Sequence, residues 1–164
     1  MGQDAAMVAL QEALDLEQRG TAFYEQAAER TVNEKGKAMF SSLAGDEVLH
    51  AEMVQRQIDA LKAGKGWQAP GVAVEGKVDL DTPLFPEGKE GLEKAVQPDA
   101  SDRDALLFGL QIESDSFDLY QKQAMAATDP SARQMYEYLT AAERAHFNLL
   151  MTNYESLSRY GGWV

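Results

Sequence analysis

The only two histidines of this chain occur in the same short pattern. His50 follows Glu47, and His146 follows Glu143, by three residues, and the two copies stand 96 residues apart. At that single offset the rest of the chain registers as well. LDLEQRGTAFYEQAA (14–28) lies over LQIESDSFDLYQKQA (110–124), so that Glu17 falls on Glu113 and Tyr24 on Tyr120. MFSSLAGDEVLH (39–50) lies over MYEYLTAAERAH (135–146), pairing Met39 with Met135 and Leu43 with Leu139. Asn33 falls on Asp129, and no gap is needed anywhere. Glu17 precedes Glu47 by the same 30 residues that separate Glu113 from Glu143. With 15 glutamates in 164 positions, chance would place one three residues before both histidines about once in a hundred trials. The apolar matches could follow from helical patterning alone; the glutamates, histidines and tyrosines could not. The economical explanation is a duplicated helical hairpin with one purpose in each copy.

Apolar periodicity predicts four amphipathic helices, at about 4–31, 34–63, 102–128 and 130–158. Asn33 is a suitable cap for the second, and Asp129 followed by Pro130 marks the start of the fourth. The fold class is therefore all-α: two pseudo-symmetric hairpins, about 4–63 and 102–158, in one domain spanning 1–164. Between them, residues 64–101 carry Pro70, Pro83, Pro86, Pro98 and six glycines. Loops this long are uncommon inside compact domains. The apolar residues Val72, Val74, Val78, Leu80, Leu84 and Phe85 predict that this crossover packs along the bundle, with a short helix at about 89–95.

On a helix, residues three apart share a face, so Glu-x-x-His aims a carboxylate and an imidazole at one point. Both pairs lie within apolar stripes: Phe40, Leu43, Glu47, His50, Val54 and Tyr136, Leu139, Glu143, His146, Leu150. Leu10, Leu14, Glu17, Tyr24 and Leu106, Leu110, Glu113, Phe117, Tyr120 form the other two. Four glutamates and two histidines are thus expected to converge inside the bundle. Buried ionised carboxylates must be neutralised, and two divalent cations would cancel four of them. Mixed nitrogen and oxygen donors without thiolate suit iron or manganese, and zinc less specifically. The metal ligands expected are Glu17, Glu47, His50, Glu113, Glu143 and His146. Tyr24 and Tyr120, seven residues past a ligand, either hydrogen-bond a ligand carboxylate on a facing helix or serve as core tyrosines. Glu25, Glu29 and Glu52 read as exposed charges, and the methionines as core filling. Asp46 could orient a histidine, but Ala142 occupies the matching position, so Asp46 is expected to be solvated.

Composition narrows the partners. Fifteen basic against 27 acidic residues give a net charge of −12, which repels nucleic acid and anionic membrane surfaces. Absence of cysteine excludes disulfides, thiolate-bound zinc and iron–sulfur clusters. No signal peptide is expected at the N-terminus, no run reaches the roughly 18 apolar residues of a membrane span, and a cytoplasmic location is the expectation.

EQRGTAFYEQAAERT, KAMFSSLAGDEVLHAE and their repeats resemble the ferritin-like di-iron carboxylate superfamily, nearest its rubrerythrin branch. In that fold a ferritin-like four-helix bundle takes one glutamate from each of two helices and Glu-x-x-His from each of the others. The resemblance implies a carboxylate-bridged pair of iron ions, with Glu17, Glu47 and His50 from one hairpin and Glu113, Glu143 and His146 from the other. It implies redox chemistry with hydrogen peroxide or dioxygen, including ferrous oxidation and protection from oxidative stress, and a homodimer. There are three departures. No cysteines are present for a rubredoxin-type iron site, so electrons must come from a separate donor protein. Ser116 stands where rubrerythrins carry an extra glutamate, with Gly20 as its repeat mate, leaving the simpler four-glutamate, two-histidine set of bacterioferritins. Only residues 159–164 follow the fourth helix, so the fifth helix of ferritin cages, and with it a storage shell, is not expected. A manganese catalase-like enzyme and a non-catalytic metal-binding or iron-buffering protein are the alternatives.

Overall fold

The computed structural model describes residues 2–72, 78–82 and 101–164. Four helices account for most of them: α1 Gln3–Arg30, α2 Glu34–Lys62, α3 Asp102–Ala126 and α4 Pro130–Tyr160. Each lies within two residues of its expected bounds. The starts of α2, α3 and α4 are set by side chains that accept otherwise orphaned N–H groups. Asn33 accepts from Lys35 and Gly36 at 2.9 and 3.3 Å, and Asp129 accepts from Ser131 and Ala132 at 2.8 and 3.2 Å. Ser101 and Asp104 form a reciprocal capping box at α3. α4 runs two residues beyond the expected end and stops at Gly161, whose φ of 73° suits glycine.

That stop turns the chain back. Trp163 packs edge-on against Phe40, ring centroids 5.8 Å apart, and sits over Gly36. A Cβ at Gly36 would lie 2.7 Å from both Thr31 and the Trp163 ring, so the close approach requires glycine.

α1 packs against α2, α3 against α4, and α1 meets α3 across the bundle. The buried apolar residues form two clusters. One holds Leu10, Leu14, Val54, Ile58, Met135 and Leu139; the other holds Phe40, Leu43, Leu106, Leu110, Phe147 and Leu150. Every residue of the four expected stripes is buried. The described part of the crossover lies on the bundle, as its apolar residues predicted. Trp67 stands edge-on to Tyr136 at 6.0 Å, and Val72 and Leu80 pack against the first cluster. Gln57 pins the Gln68 backbone through both ends of its amide, at 2.9 and 3.0 Å. Arg144 donates to the Thr82 carbonyl at 2.6 Å, and Gln121 donates to that of Leu80. Val74, Leu84, Phe85 and the short helix expected at 89–95 lie outside the described residues. Among the described residues, no helix is long and apolar enough to cross a membrane.

Candidate metal centre

Glu17, Glu47, His50, Glu113, Glu143 and His146 all point into the bundle interior. The four glutamates are at most 2% exposed, and the two histidines are 4% and 7% exposed. α1 and α3 each contribute one carboxylate; α2 and α4 each contribute a carboxylate and an imidazole one turn later. The imidazoles are nearly parallel, with centroids 5.5 Å apart and planes at 22°.

The carboxylates divide into two kinds. Glu47 and Glu143 each turn one oxygen toward each histidine. Glu143 Oε1 is 3.3 Å from His50 Nδ1, and its Oε2 is 3.2 Å from His146 Nδ1. Glu47 Oε2 is 3.6 Å from His50 Nδ1, and its Oε1 is 3.2 Å from His146 Nδ1. Glu17 and Glu113 instead lie one at each end. Glu17 Oε2 is 3.5 Å from His50 Nδ1, and Glu113 Oε2 is 3.6 Å from His146 Nδ1. Two overlapping donor groups result, both containing Glu47 and Glu143: one with Glu17 and His50, the other with Glu113 and His146.

The outer oxygens of the end carboxylates are held from the opposite hairpin. The Tyr24 hydroxyl on α1 donates to Glu113 Oε1 on α3, and the Tyr120 hydroxyl on α3 donates to Glu17 Oε1 on α1. Both tyrosines are fully buried, so each is at once a core side chain and a partner of a cluster carboxylate. Gly109 packs closely beside one of these contacts: a Cβ there would lie 3.3 Å from the Tyr24 hydroxyl. Gly20 abuts Glu47, with space for a Cβ 3.4 Å from its Cγ, and Ser116 is buried; neither supplies a further carboxylate.

Packing four acids in a dry interior shifts their protonation. Burial, and next the Glu47 carboxylate, push Glu17 up to about 8 despite the pull of His50. Burial and the neighbouring Glu143 push Glu113 up to about 8. Burial also opposes the charged form of Glu143, but His50 and His146 outweigh it and hold this carboxyl below its ordinary value. For the histidines burial opposes protonation, yet the surrounding carboxylates raise both well above the ordinary imidazole value, Glu143 leading at His50 and Glu113 at His146.

One expectation is overturned. Asp46 is not simply a solvated charge: its Oδ2 lies 3.1 Å from His146 Nε2, across the interface between α2 and α4, while its side chain stays about half exposed. Its repeat mate Ala142 only shows that the reciprocal contact, to His50, is not made by a carboxylate. Which residues of one hairpin meet the other depends on interhelical geometry, which neither spacing nor repeat reveals. Glu25, Glu29 and Glu52 are exposed as expected. Of the described methionines, Met39, Met53 and Met135 fill the core, whereas Met125 is exposed.

Two helical hairpins that enclose four carboxylates and two imidazoles define a protein of the four-helix carboxylate-bundle class, with two groups of side chains that could each hold a metal ion. Within that class the chain belongs to the rubrerythrin family, whose description matches residues 9–154. No curated protein and no solved structure gives a match.

Proposed function

We propose that Glu17, Glu47, His50, Glu113, Glu143 and His146 hold two iron ions, and that the chain is a redox protein oxidising Fe(II) or reducing hydrogen peroxide or dioxygen. One observation carries this reading. Glu17 Oε2, Glu47 Oε1, His50 Nδ1, Glu113 Oε2, both oxygens of Glu143 and His146 Nδ1 are buried without a hydrogen-bond partner. They face one another within a single cluster, although buried polar atoms are rarely left unpaired. Carboxylate oxygens lie 3.3–3.6 Å from His50 Nδ1 and 3.2–3.6 Å from His146 Nδ1. Such atoms are accounted for together if they are donors to cations, and two divalent ions neutralise the four acids.

The roles follow from the geometry. Glu47 and Glu143, with one oxygen toward each imidazole, would bridge; Glu17 and Glu113 would each serve one ion. Tyr24 and Tyr120 fix the end carboxylates by occupying their outer oxygens, leaving the inner oxygen of each to the ion. Bound iron would supply two electrons, one from each ion, to the oxidant. With no cysteine to hold a second redox centre, the electrons are replenished by a separate donor protein. Nitrogen and oxygen donors also accept manganese, so the metal is read out directly. Elemental analysis of the purified chain is expected to give about two metals per chain, iron in preference to manganese, and Glu47→Ala or His146→Ala to lose at least one. Peroxide added to the anaerobically prepared ferrous protein is expected to be consumed and to raise near-ultraviolet absorbance. Absence of bound metal after anaerobic ferrous loading would defeat the proposal. Metal without any spectral response to peroxide would replace it with an iron-holding role.

A further inference from the structure

The repeat makes the two ion positions equal in donor type, but their surroundings differ. His146 presents Nδ1 to the cluster, 3.2 Å from Glu47 and Glu143, and its opposite nitrogen Nε2 lies 3.1 Å from Asp46 Oδ2. The reciprocal contact would run from His50 to position 142, and Ala142 has no polar side chain. Instead the Tyr138 ring stands edge-on to His50, centroids 6.3 Å apart at 88°. Ser42 is the repeat mate of Tyr138, so this second feature is also one-sided.

A carboxylate that accepts the outer N–H of an imidazole fixes its tautomer and ring orientation and makes the inner nitrogen a stronger donor. We propose that Asp46 makes the centre unequal. As a positioning residue acting through His146, it renders the Glu47, Glu113, Glu143 and His146 position the tighter one, which a divalent cation fills first. The Glu17, Glu47, Glu143 and His50 position fills second. This inference rests on the reading that the cluster holds two ions. It adds that the ions enter in a set order, so that a chain carrying one ion has it at the His146 end. Asp46 is suited to this role because it is half exposed, lies outside both donor groups and contacts the imidazole of His146.

The test is a Co(II) titration of the full metal-free chain, followed by visible absorption and by competition with a coloured chelator. Wild type is expected to bind in two steps whose affinities differ by about 10-fold or more, and Asp46→Ala to weaken the first step by about 10- to 100-fold. Asp46→Asn, which keeps an acceptor oxygen, is expected to restore part of that loss. Ala142→Asp is expected to strengthen the second step, and His50→Ala to abolish the second step while sparing most of the first. Two equal steps in wild type, or Asp46→Ala weakening both steps alike or neither, would overturn the inference while leaving the two-ion reading intact. Failure of wild type to bind Co(II) at all would sink that reading, and this one with it.

Discussion

Without bound metal, stability should depend steeply on pH, and saturating divalent metal should abolish that dependence. Glu17 and Glu113 are raised from 4.5 to about 8 in the metal-free fold. A raised carboxyl binds its proton more tightly folded than unfolded. Its contribution is therefore complete below the unfolded value near 4.5 and is lost as pH climbs through 8. His50 and His146, also raised, act in the same direction: their contribution is complete below about 6.5 and falls away above it. At about 1.4 kcal/mol per pH unit, each carboxyl alone would cost roughly 4–5 kcal/mol across its interval. Rotation of side chains and entry of water relieve part of that cost. A loss of about 3–5 kcal/mol in all between pH 5 and pH 8 is the working figure, a large share of the 5–15 kcal/mol of a typical domain. For a chain of this size it corresponds to a fall in Tm of roughly 6–20 °C. The assay is thermal unfolding by circular dichroism at pH 5, 6, 7 and 8, with chelator or with saturating divalent metal. With metal the ions take the place of the protons, so Tm should be higher at pH 8 and nearly flat. A metal-free Tm that is constant or rises from pH 5 to pH 8 would refute the reasoning, because the cluster would then not be destabilised by its own charge.

Tyr24→Phe and Tyr120→Phe each remove a buried hydroxyl donated to a cluster carboxylate. Each should cost about 1.5–3 kcal/mol, by nearly equal amounts because the two contacts are repeat mates; thermal melts of the metal-loaded variants check both. Gly36→Ala places a methyl 2.7 Å from Thr31 and Trp163 and should destabilise by about 1–3 kcal/mol with a change in tryptophan emission. Gly45→Ala, at a helical position with nothing near the new methyl, should stabilise by about 0.5–1 kcal/mol, and equal effects at the two sites on denaturant unfolding would contradict this account of the C-terminal packing.

What could be read from the chain was whatever repeats along a helix. Leu43, Glu47, His50 and Val54 share a stripe because 3.6 residues make a turn, and the caps at Asn33 and Asp129 act within three residues of themselves. Duplication at a constant offset then announced the six polar side chains as one set before any packing was known. Contacts between hairpins were not legible in the same way. That Tyr24 reaches Glu113 rather than its own hairpin, that Asp46 meets His146, that Trp163 closes over Gly36 and that Arg144 holds the returning crossover are all matters of how far apart the helices sit and how each is rotated about its axis. Local periodicity says which face of a helix turns inward. It leaves open which residue of another helix, 89 to 103 positions away in the contacts to the cluster, will be found there, because that is decided by the packing of all four helices at once.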